Sequence, residues 1–318
     1  MGLDTNFIDP AASKKNQNQA QHNRHIIVKL WGGLGNQMFQ YAFGLALSRR
    51  TGLPLKADVS YFQNQPSIDT PRHYELDSFM LQLDFATNAE LPRKKKTLGE
   101  KLLLLMGCDL PMRKLSERHY YSFDAELLSV IGSKQSLYLD GYWQCPEYFE
   151  DIRDELLQQF KLRKPLSAEQ KAEAEFINKH TSIALHVRRG DYISNPNAAK
   201  VHNLCPMEYY AQAMDYIAQR VPEAYFMIFS DDVPWCRQEL HIPYEHSFVK
   251  YEPDTPAFGI HLMSLCKHHI IANSSYSWWG AWLAELCGQI VIAPKQWLQP
   301  QLPNNTADGL IPAAWIRM

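Results

Sequence analysis

Residues 25–58 read HIIVKLWGGLGNQMFQYAFGLALSRRTGLPLKAD. The opening His25–Trp31 is a short apolar run rich in β-branched residues, which predicts a strand. Gly32, Gly33 and Gly35 follow, where glycine permits positive φ and a close approach of the backbone to a neighbour. Asn36 then opens a helical stretch to Arg50. Its apolar residues Met38, Phe39, Tyr41, Phe43, Leu45 and Leu47 cover nearly every side, and only Gln40, Gly44 and Ser48 form a small or polar stripe. A helix apolar on most sides is buried on most sides. Gly52 and Pro54 stop it, and Leu53–Ala57 predicts a second strand. Strand, glycine turn, buried helix and strand make the opening unit of a doubly wound α/β domain.

The same alternation returns in the second half. Ile183–Val187, Tyr225–Phe229, His269–Ala272 and Ile290–Ala293 read as strands. Helical segments lie around Met207–Arg220, Pro234–Leu240, Thr255–Cys266 and Ser277–Cys287. This predicts a second, mostly parallel sheet with crossover helices. A polar, helix-prone bridge at 161–180 marks a domain boundary. The chain therefore divides into a flexible polar tail (1–24), a first α/β domain (25–165) and a second (166–318). Its 318 residues suit two domains of roughly 150 residues each. The middle, 60–160, is aromatic and charged and shows no clear period.

Composition removes several function classes. Lys+Arg is 32 and Asp+Glu is 34, a net charge of −2. A pI near 6.6 argues against bulk binding of nucleic acid. No apolar run approaches the roughly 18 residues of a membrane span. The first 24 residues hold no apolar core of a secretory signal, and the six scattered cysteines include no CxxC pair. The expectation is a cytoplasmic protein with reduced thiols and no zinc site.

Three polar clusters follow directly on three strands: His186-Val187-Arg188-Arg189-Gly190-Asp191, Ser230-Asp231-Asp232, and Asn273-Ser274-Ser275-Tyr276-Ser277. Open parallel sheets bind ligands outside the carboxyl ends of their strands. Strand alternation puts Ala184, His186 and Arg188 on one face and Ile183, Leu185, Val187 and Arg189 on the other. Arg188 is thus the ligand arginine, and Arg189 a structural ion-pair partner. The serine-rich turn opens a helix, whose free N–H groups suit phosphate, although one serine is also an ordinary cap. Trp278, Trp279 and Trp282 follow at helical spacing. Core packing accounts for most of them, and a sugar-stacking role is open to one.

Gly33 and Gly35 match a dinucleotide fingerprint only in part, because Met38 stands where its third glycine belongs. Two aspartates separated by one residue, a common metal-holding arrangement for sugar nucleotides, do not occur. A leaving diphosphate would then be neutralised by arginine and helix N-termini.

GGLGNQMFQYAFGLAL (32–47), HVRRGDY (186–192), FSDD (229–232) and NSSYSWWGAWLA (273–284) together resemble the bacterial α-1,2-fucosyltransferases, an inverting glycosyltransferase family. The likeness runs from about Ile26 to Ile292. It implies a GT-B-type fold, two Rossmann-like domains facing a cleft, with the acceptor on the first and the donor GDP-β-L-fucose on the second. The acceptor is a galactose 2-hydroxyl in a glycan, and neither metal nor cofactor is required. By this resemblance Arg188 binds the pyrophosphate, and His186 and Asp231 approach the guanine. Ser230 and Asn273 line the donor site, and Ser274, Ser275 and Ser277 lie near the phosphates. The backbone of Gly33, Leu34, Gly35 and Asn36 reaches the donor across the cleft. Asp191 is the candidate acceptor base, with a salt bridge to Arg189 or a structural loop hydrogen bond as its alternative role; His202 and Glu208 are weaker candidates, and late proton transfer through water with no dedicated base is a further alternative.

Other classes compete with this reading. One is a fucosyltransferase of α-1,6 or protein O-linked type. Another is a NAD-dependent oxidoreductase built on the glycine turn, and a third a carbohydrate-binding module using the tryptophans. The basic and aliphatic Arg93–Lys114 segment is a candidate for peripheral contact with an anionic membrane surface or a lipid-linked glycan.

Overall fold

The computed structural model describes residues 24–92, 102, 105–106, 110–132, 135–249, 255–284 and 287–318. The polar tail up to residue 23 and most of the basic run after Arg93, with its proposed membrane contact, lie outside these residues. No helix among the described residues is long and apolar enough to cross a membrane.

The first sheet is parallel throughout and is ordered β3-β2-β1-β5-β4. Its strands are β1 (Ile26–Lys29), β2 (Leu55–Asp58), β3 (Asp84–Phe85), β4 (Met112–Ser116) and β5 (Ser136–Asp140). Helix α1 (Leu34–Thr51) lies on it and buries nearly its whole length. The small and polar stripe predicted along this helix is its sheet-facing side, not its wet side. A Cβ added at Gly44 would lie 2.9 Å from Leu55 and 3.3 Å from Val28, so only glycine lets the helix settle on β1 and β2. Gln40 accepts from the Trp31 N–H (3.0 Å) and donates to the Trp31 carbonyl (3.2 Å), and the Ser48 hydroxyl donates to the Leu53 carbonyl (2.6 Å). The stripe thereby satisfies chain ends that the sheet leaves open. Gly52, at φ 71°, closes the helix.

The second sheet is also parallel, ordered β11-β10-β9-β6-β7-β8. It comprises β6 (Thr181–Val187), β7 (Ala224–Ser230), β8 (His246–Phe248), β9 (His268–Ile270), β10 (Val291–Ala293) and β11 (Ile316–Arg317). Its principal helices are α2 (Met207–Ala218), α3 (Val233–Glu239), α4 (Pro256–Leu265) and α5 (Ser275–Trp282). The expected alternation along β6 holds: Ile183, Leu185 and Val187 enter one apolar cluster and Ala184 another. The last helix differs from expectation. It starts two residues earlier, at Ser275, because Ser274 caps it by accepting the Tyr276 N–H, and it ends at Trp282 rather than at Cys287. The five described cysteines, Cys145, Cys205, Cys236, Cys266 and Cys287, are free thiols.

The chain thus forms two Rossmann-like lobes of GT-B type. Each sheet reverses its order at one place: between β1 and β5 in the first lobe, and between β6 and β9 in the second. The crevices outside the strand ends at these two places face each other across the lobe junction. There the N-termini of α1 and α5 meet. The Trp279 indole donates to the Gly35 carbonyl (2.9 Å) and the Ser275 hydroxyl to Asn36 Oδ1 (2.8 Å). A Cβ at Gly35 would stand 2.7 Å from the Ser275 carbonyl carbon, so this glycine is required by close approach. Trp278, Trp279 and Trp282 are buried in one cluster with Phe39 and Phe149. None is open to a sugar, which corrects that alternative: their rings join the lobes. The segment after β10 returns to the first lobe, where the Gly309 N–H meets the Tyr121 carbonyl (3.0 Å).

Candidate active site

Arg188 leaves the end of β6 and lies between two carboxylates. Its Nη2 is 2.6 Å from Asp191 and its Nη1 is 2.8 Å from Asp231. Asp191 is fixed by the turn into a short helical segment, Gly190–Ser194. Gly190 is needed here, because any side chain at this position would run into Asp231. Burial disfavours the charged guanidinium, but the two carboxylates outweigh it and raise the Arg188 pKa above its already high ordinary value. The side chain is permanently cationic. Two of its five N–H donors are used in these pairs, which leaves others for a ligand.

The second carboxylate oxygen of Asp191 binds Arg72, which comes from the first lobe. The Arg72 guanidinium in turn faces Gly33: a Cβ there would be 3.7 Å from it. One charged chain therefore runs from the glycine turn through Arg72, Asp191 and Arg188 to Asp231. It crosses the junction between the two switch points. No sequence pattern marks Arg72. It stands in a polar loop 119 positions from its partner, and only the packing of the lobes brings the two together. Asp191 pairs with Arg188 and Arg72, and not with Arg189 as the alternative reading held. Arg189 is instead a structural arginine, as expected: its Nε lies 3.2 Å from Asp232 and its guanidinium covers the Trp235 ring at 3.6 Å.

Several residues expected at the donor are engaged elsewhere. Asp231 uses both oxygens within the protein, one for Arg188 and the other for the Arg189 N–H (2.9 Å). Both contacts hold the arginine turn, and each oxygen keeps a further lone pair. His186 is 2 % exposed and lies beneath Tyr276, 5.7 Å between ring centres. Burial, aided by Arg188, holds its pKa near 3, and its Nδ1 has no protein partner. It is a neutral core imidazole and does not reach a base in this structure. Ser230 is buried, and its hydroxyl accepts the Asp232 N–H (2.9 Å).

Asn273 is likewise structural. It donates to the carbonyls of Asn203 (2.6 Å) and Trp297 (2.9 Å) and ties the loop after β9 to its neighbours. Ser277 is fully buried and turns back on its own helix turn, towards the Ala272 and Ser274 carbonyls. Both of its hydroxyl contacts are therefore made within the protein. Ser274 is the cap, which leaves Ser275, half-buried at the junction, as the serine nearest the cleft. Leu34 and Gly35 are buried, whereas Gly33 and Asn36 keep partial exposure. Asn36 Oδ1 accepts from both Gln144 (2.8 Å) and Ser275.

Around the arginine chain, Tyr192 donates to the Asn273 carbonyl (2.9 Å) and stacks on His202 at 4.4 Å. Burial lowers the His202 pKa to about 4, so it is neutral at ordinary pH. Glu208 stands exposed in the first turn of α2 and takes no part in this network. Among the described residues no three His, Cys, Asp or Glu side chains gather into a metal-holding group.

Two parallel α/β lobes with a chain of paired arginines and aspartates at their junction place a candidate ligand site between the domains. Comparison with known proteins makes the class specific. The profile of glycosyl transferase family 11 matches residues 88–316, and the chain belongs to this family of glycosyltransferases. It is 33 % identical over 298 residues to an Escherichia coli alpha-1,2-colitosyltransferase, covering 92 % of this chain and 98 % of that one. It is 34 % identical over 307 residues to the E. coli O-antigen biosynthesis glycosyltransferase WbnK, covering 91 % and 99 %. A galactoside alpha-(1,2)-fucosyltransferase 2 from Pongo pygmaeus is 27 % identical over 262 residues, covering 80 % and 67 %. The chain is an α-1,2-fucosyltransferase-like enzyme.

Proposed function

We propose that this glycosyltransferase moves L-fucose from GDP-β-L-fucose to the 2-hydroxyl of a galactose in a glycan, with inversion and without a metal ion. The observation that carries the reading is Arg188. It is a permanent cation with unused donors, set at the switch point of the second sheet and opposite the glycine turn of the first. The galactoside and fucosyl parts rest on the likeness to the orangutan enzyme, and a bacterial surface-polysaccharide setting on the likeness to WbnK.

The chemistry is a single displacement at the fucose C1. The acceptor oxygen attacks one face as the bond to the diphosphate breaks on the other, through an oxocarbenium-like transition state. Negative charge then grows on the departing phosphate. Arg188, preorganised by Asp191 and Asp231, stabilises that charge more than it stabilises the bound donor. Arg72 adds a second cation from the opposite lobe. Asp191 is the carboxylate within reach of the same centre and takes the acceptor proton. Each Asp191 oxygen holds one arginine and keeps a further lone pair, so the acceptor hydroxyl binds the carboxylate while Arg72 and Arg188 hold it in position.

The test is GDP release from GDP-fucose, with and without lactose, in excess EDTA. Release that depends on lactose, with product NMR showing a 2-linked fucose, is the expected result. Release abolished by EDTA and restored by a divalent ion would overturn the metal-free part. A second donor is favoured by one observation, the likeness to the colitosyltransferase. Colitose is L-fucose without its 3-hydroxyl, so GDP-colitose belongs in the same assay as the competing donor.

A further inference from the structure

Strands β1, β2, β4 and β5 of the first lobe are each followed, past their C-terminal ends, by an aromatic residue that does not enter the core: Trp31, Tyr61, Tyr120 and Tyr142. Trp31 and Tyr142 stack with ring centres 4.0 Å apart. Tyr61 meets Trp31 edge-on at 6.3 Å, and Tyr120 lies 5.8 Å from Tyr142. Tyr120 is 51 % exposed. Trp31 and Tyr142 follow β1 and β5, the two strands between which the first sheet reverses, so the stack stands in that sheet's ligand crevice.

Two polar features point at a ligand here. Trp31 Nε1 is buried with no hydrogen-bond partner in the protein, a donor left open at the edge of the stack. The Tyr61 hydroxyl donates to Asp69 (2.9 Å), which sets a carboxylate beside the cluster. The rings also adjoin the charged chain: Trp31 stands two residues before Gly33, which the Arg72 guanidinium faces, and Gln65 ties the Arg72 backbone to the Phe62 carbonyl next to Tyr61.

We propose that Trp31 and Tyr142, flanked by Tyr61 and Tyr120, are the platform that binds the galactosyl ring of the acceptor. The inference rests on the functional reading above and adds the site of the second substrate. The axial 4-hydroxyl of galactose leaves H3, H4 and H5 together on one face, an apolar patch that packs on an aromatic ring. The hydroxyls then point away from the rings, toward polar groups such as the Asp69 carboxylate beside Tyr61. Stacking on Tyr142 holds the Trp31 ring in place before the sugar arrives, which lowers the cost of ordering it. A sugar on this platform lies beside Arg72 and Asp191, where its hydroxyl must arrive to react.

The experiment uses the full chain and its Trp31→Ala, Trp31→Phe and Tyr142→Ala variants. The acceptor KM for lactose should rise about tenfold or more in both alanine variants, the loss expected of a buried aromatic anchor. Trp31→Phe should retain most of the affinity. Donor KM and acceptor-independent hydrolysis of GDP-fucose should stay within about twofold, since the donor is held elsewhere. Saturation-transfer NMR of methyl β-D-galactoside with GDP present should mark H3, H4 and H5 in the wild type and lose them in Trp31→Ala. If Trp31→Ala does not fold, Tyr120→Ala, an exposed position, takes its place. Unchanged acceptor KM in the alanine variants, or an equal rise in donor KM, overturns the platform. A wild type that moves no fucose to any galactoside strikes the functional reading instead. The NMR measurement decides the platform even then, because it needs binding and not turnover.

Discussion

Arg72 of the first lobe and Asp191 of the second form an ion pair across the lobe junction, and the other oxygen of Asp191 holds Arg188. The pair couples the position of the reacting carboxylate to the closure of the two domains. Arg72→Ala should leave the melting temperature nearly unchanged, since the pair is partly solvated. The kcat should fall about a hundredfold, the effect of misplacing a reacting group. Arg72→Lys should recover part of the rate. A fall in melting temperature that accounts for the lost activity would show that the residue is merely structural.

The two adjacent arginines should separate cleanly by substitution. Arg188→Ala removes the cation at the leaving group, and turnover should drop by about 10²–10³ or more. It also leaves Asp191 and Asp231 without their shared partner, so Arg188→Lys is the informative companion: a point charge that cannot bridge both carboxylates. Arg189→Ala loses the Trp235 stack and the Asp232 pair, and should lower stability while kcat per folded molecule holds. Equal kinetic defects in the two alanine variants would contradict this division.

Gly35→Ala and Gly33→Ala form a matched test of lobe contact. At Gly35 the new methyl meets the Ser275 Oγ and carbonyl carbon at 2.7 Å and the Tyr276 nitrogen at 2.8 Å; the last two are backbone, which can give only if the lobes part. A cost of roughly 1–3 kcal/mol and a marked loss of transfer are expected. At Gly33 the nearest atoms are 3.7 Å away and belong to the Arg72 side chain, so stability should hold. Denaturant melts of the two variants read this directly.

Acid should unfold the protein through its histidines. His186, held near pH 3, and His202 and His269, held near pH 4, are neutral because they are buried. Their folded pKa values lie below the ordinary value of about 6.5, so the unfolded chain binds more protons between those limits. Stability is therefore full above about pH 6.5 and falls as pH drops toward 4, with uptake of about three protons on unfolding. Glu117 acts with the opposite sign. Burial raises its carboxyl to about 7, against two backbone N–H donors, Tyr142 and Trp143. The folded form binds its proton more tightly, so this group costs stability as pH rises from about 4.5 to 7. Melting temperatures from pH 4 to 8, compared with Glu117→Gln and His202→Asn, test both signs.

Trp279 carries more of the lobe junction than any motif announces. It is fully buried, donates to the Gly35 carbonyl, and packs on Phe39 and Phe149. Trp279→Ala should cost about 3–5 kcal/mol. A Phe in its place keeps most of the packing but leaves that carbonyl unpaired. A mild loss in Trp279→Ala would mean that the lobes do not depend on this contact.

The sequence by itself determined the local units of this fold. The periodicity of 25–58 and the four apolar runs after residue 180 specified strands and helices within a few residues, because such patterns express burial that each segment must find. The order of residues along β6 was enough to separate Arg188 from Arg189, since alternation in a strand admits one answer. The likeness of 186–192 and 273–284 to one family carried the reaction class. Tertiary structure alone decided what each polar residue does. His186, Ser277 and Asn273 look like ligand residues in a motif, yet their side chains close the protein's own hydrogen bonds or lie in its core. Arg72 and Trp31 look like nothing in particular, yet they come to stand at the cleft. The reason is physical: a motif records which residue types follow one another, whereas the solvent and partner of a side chain are set by the strand ends and lobes that pack around it. Those contacts join positions a hundred or more residues apart, and no local pattern encodes them.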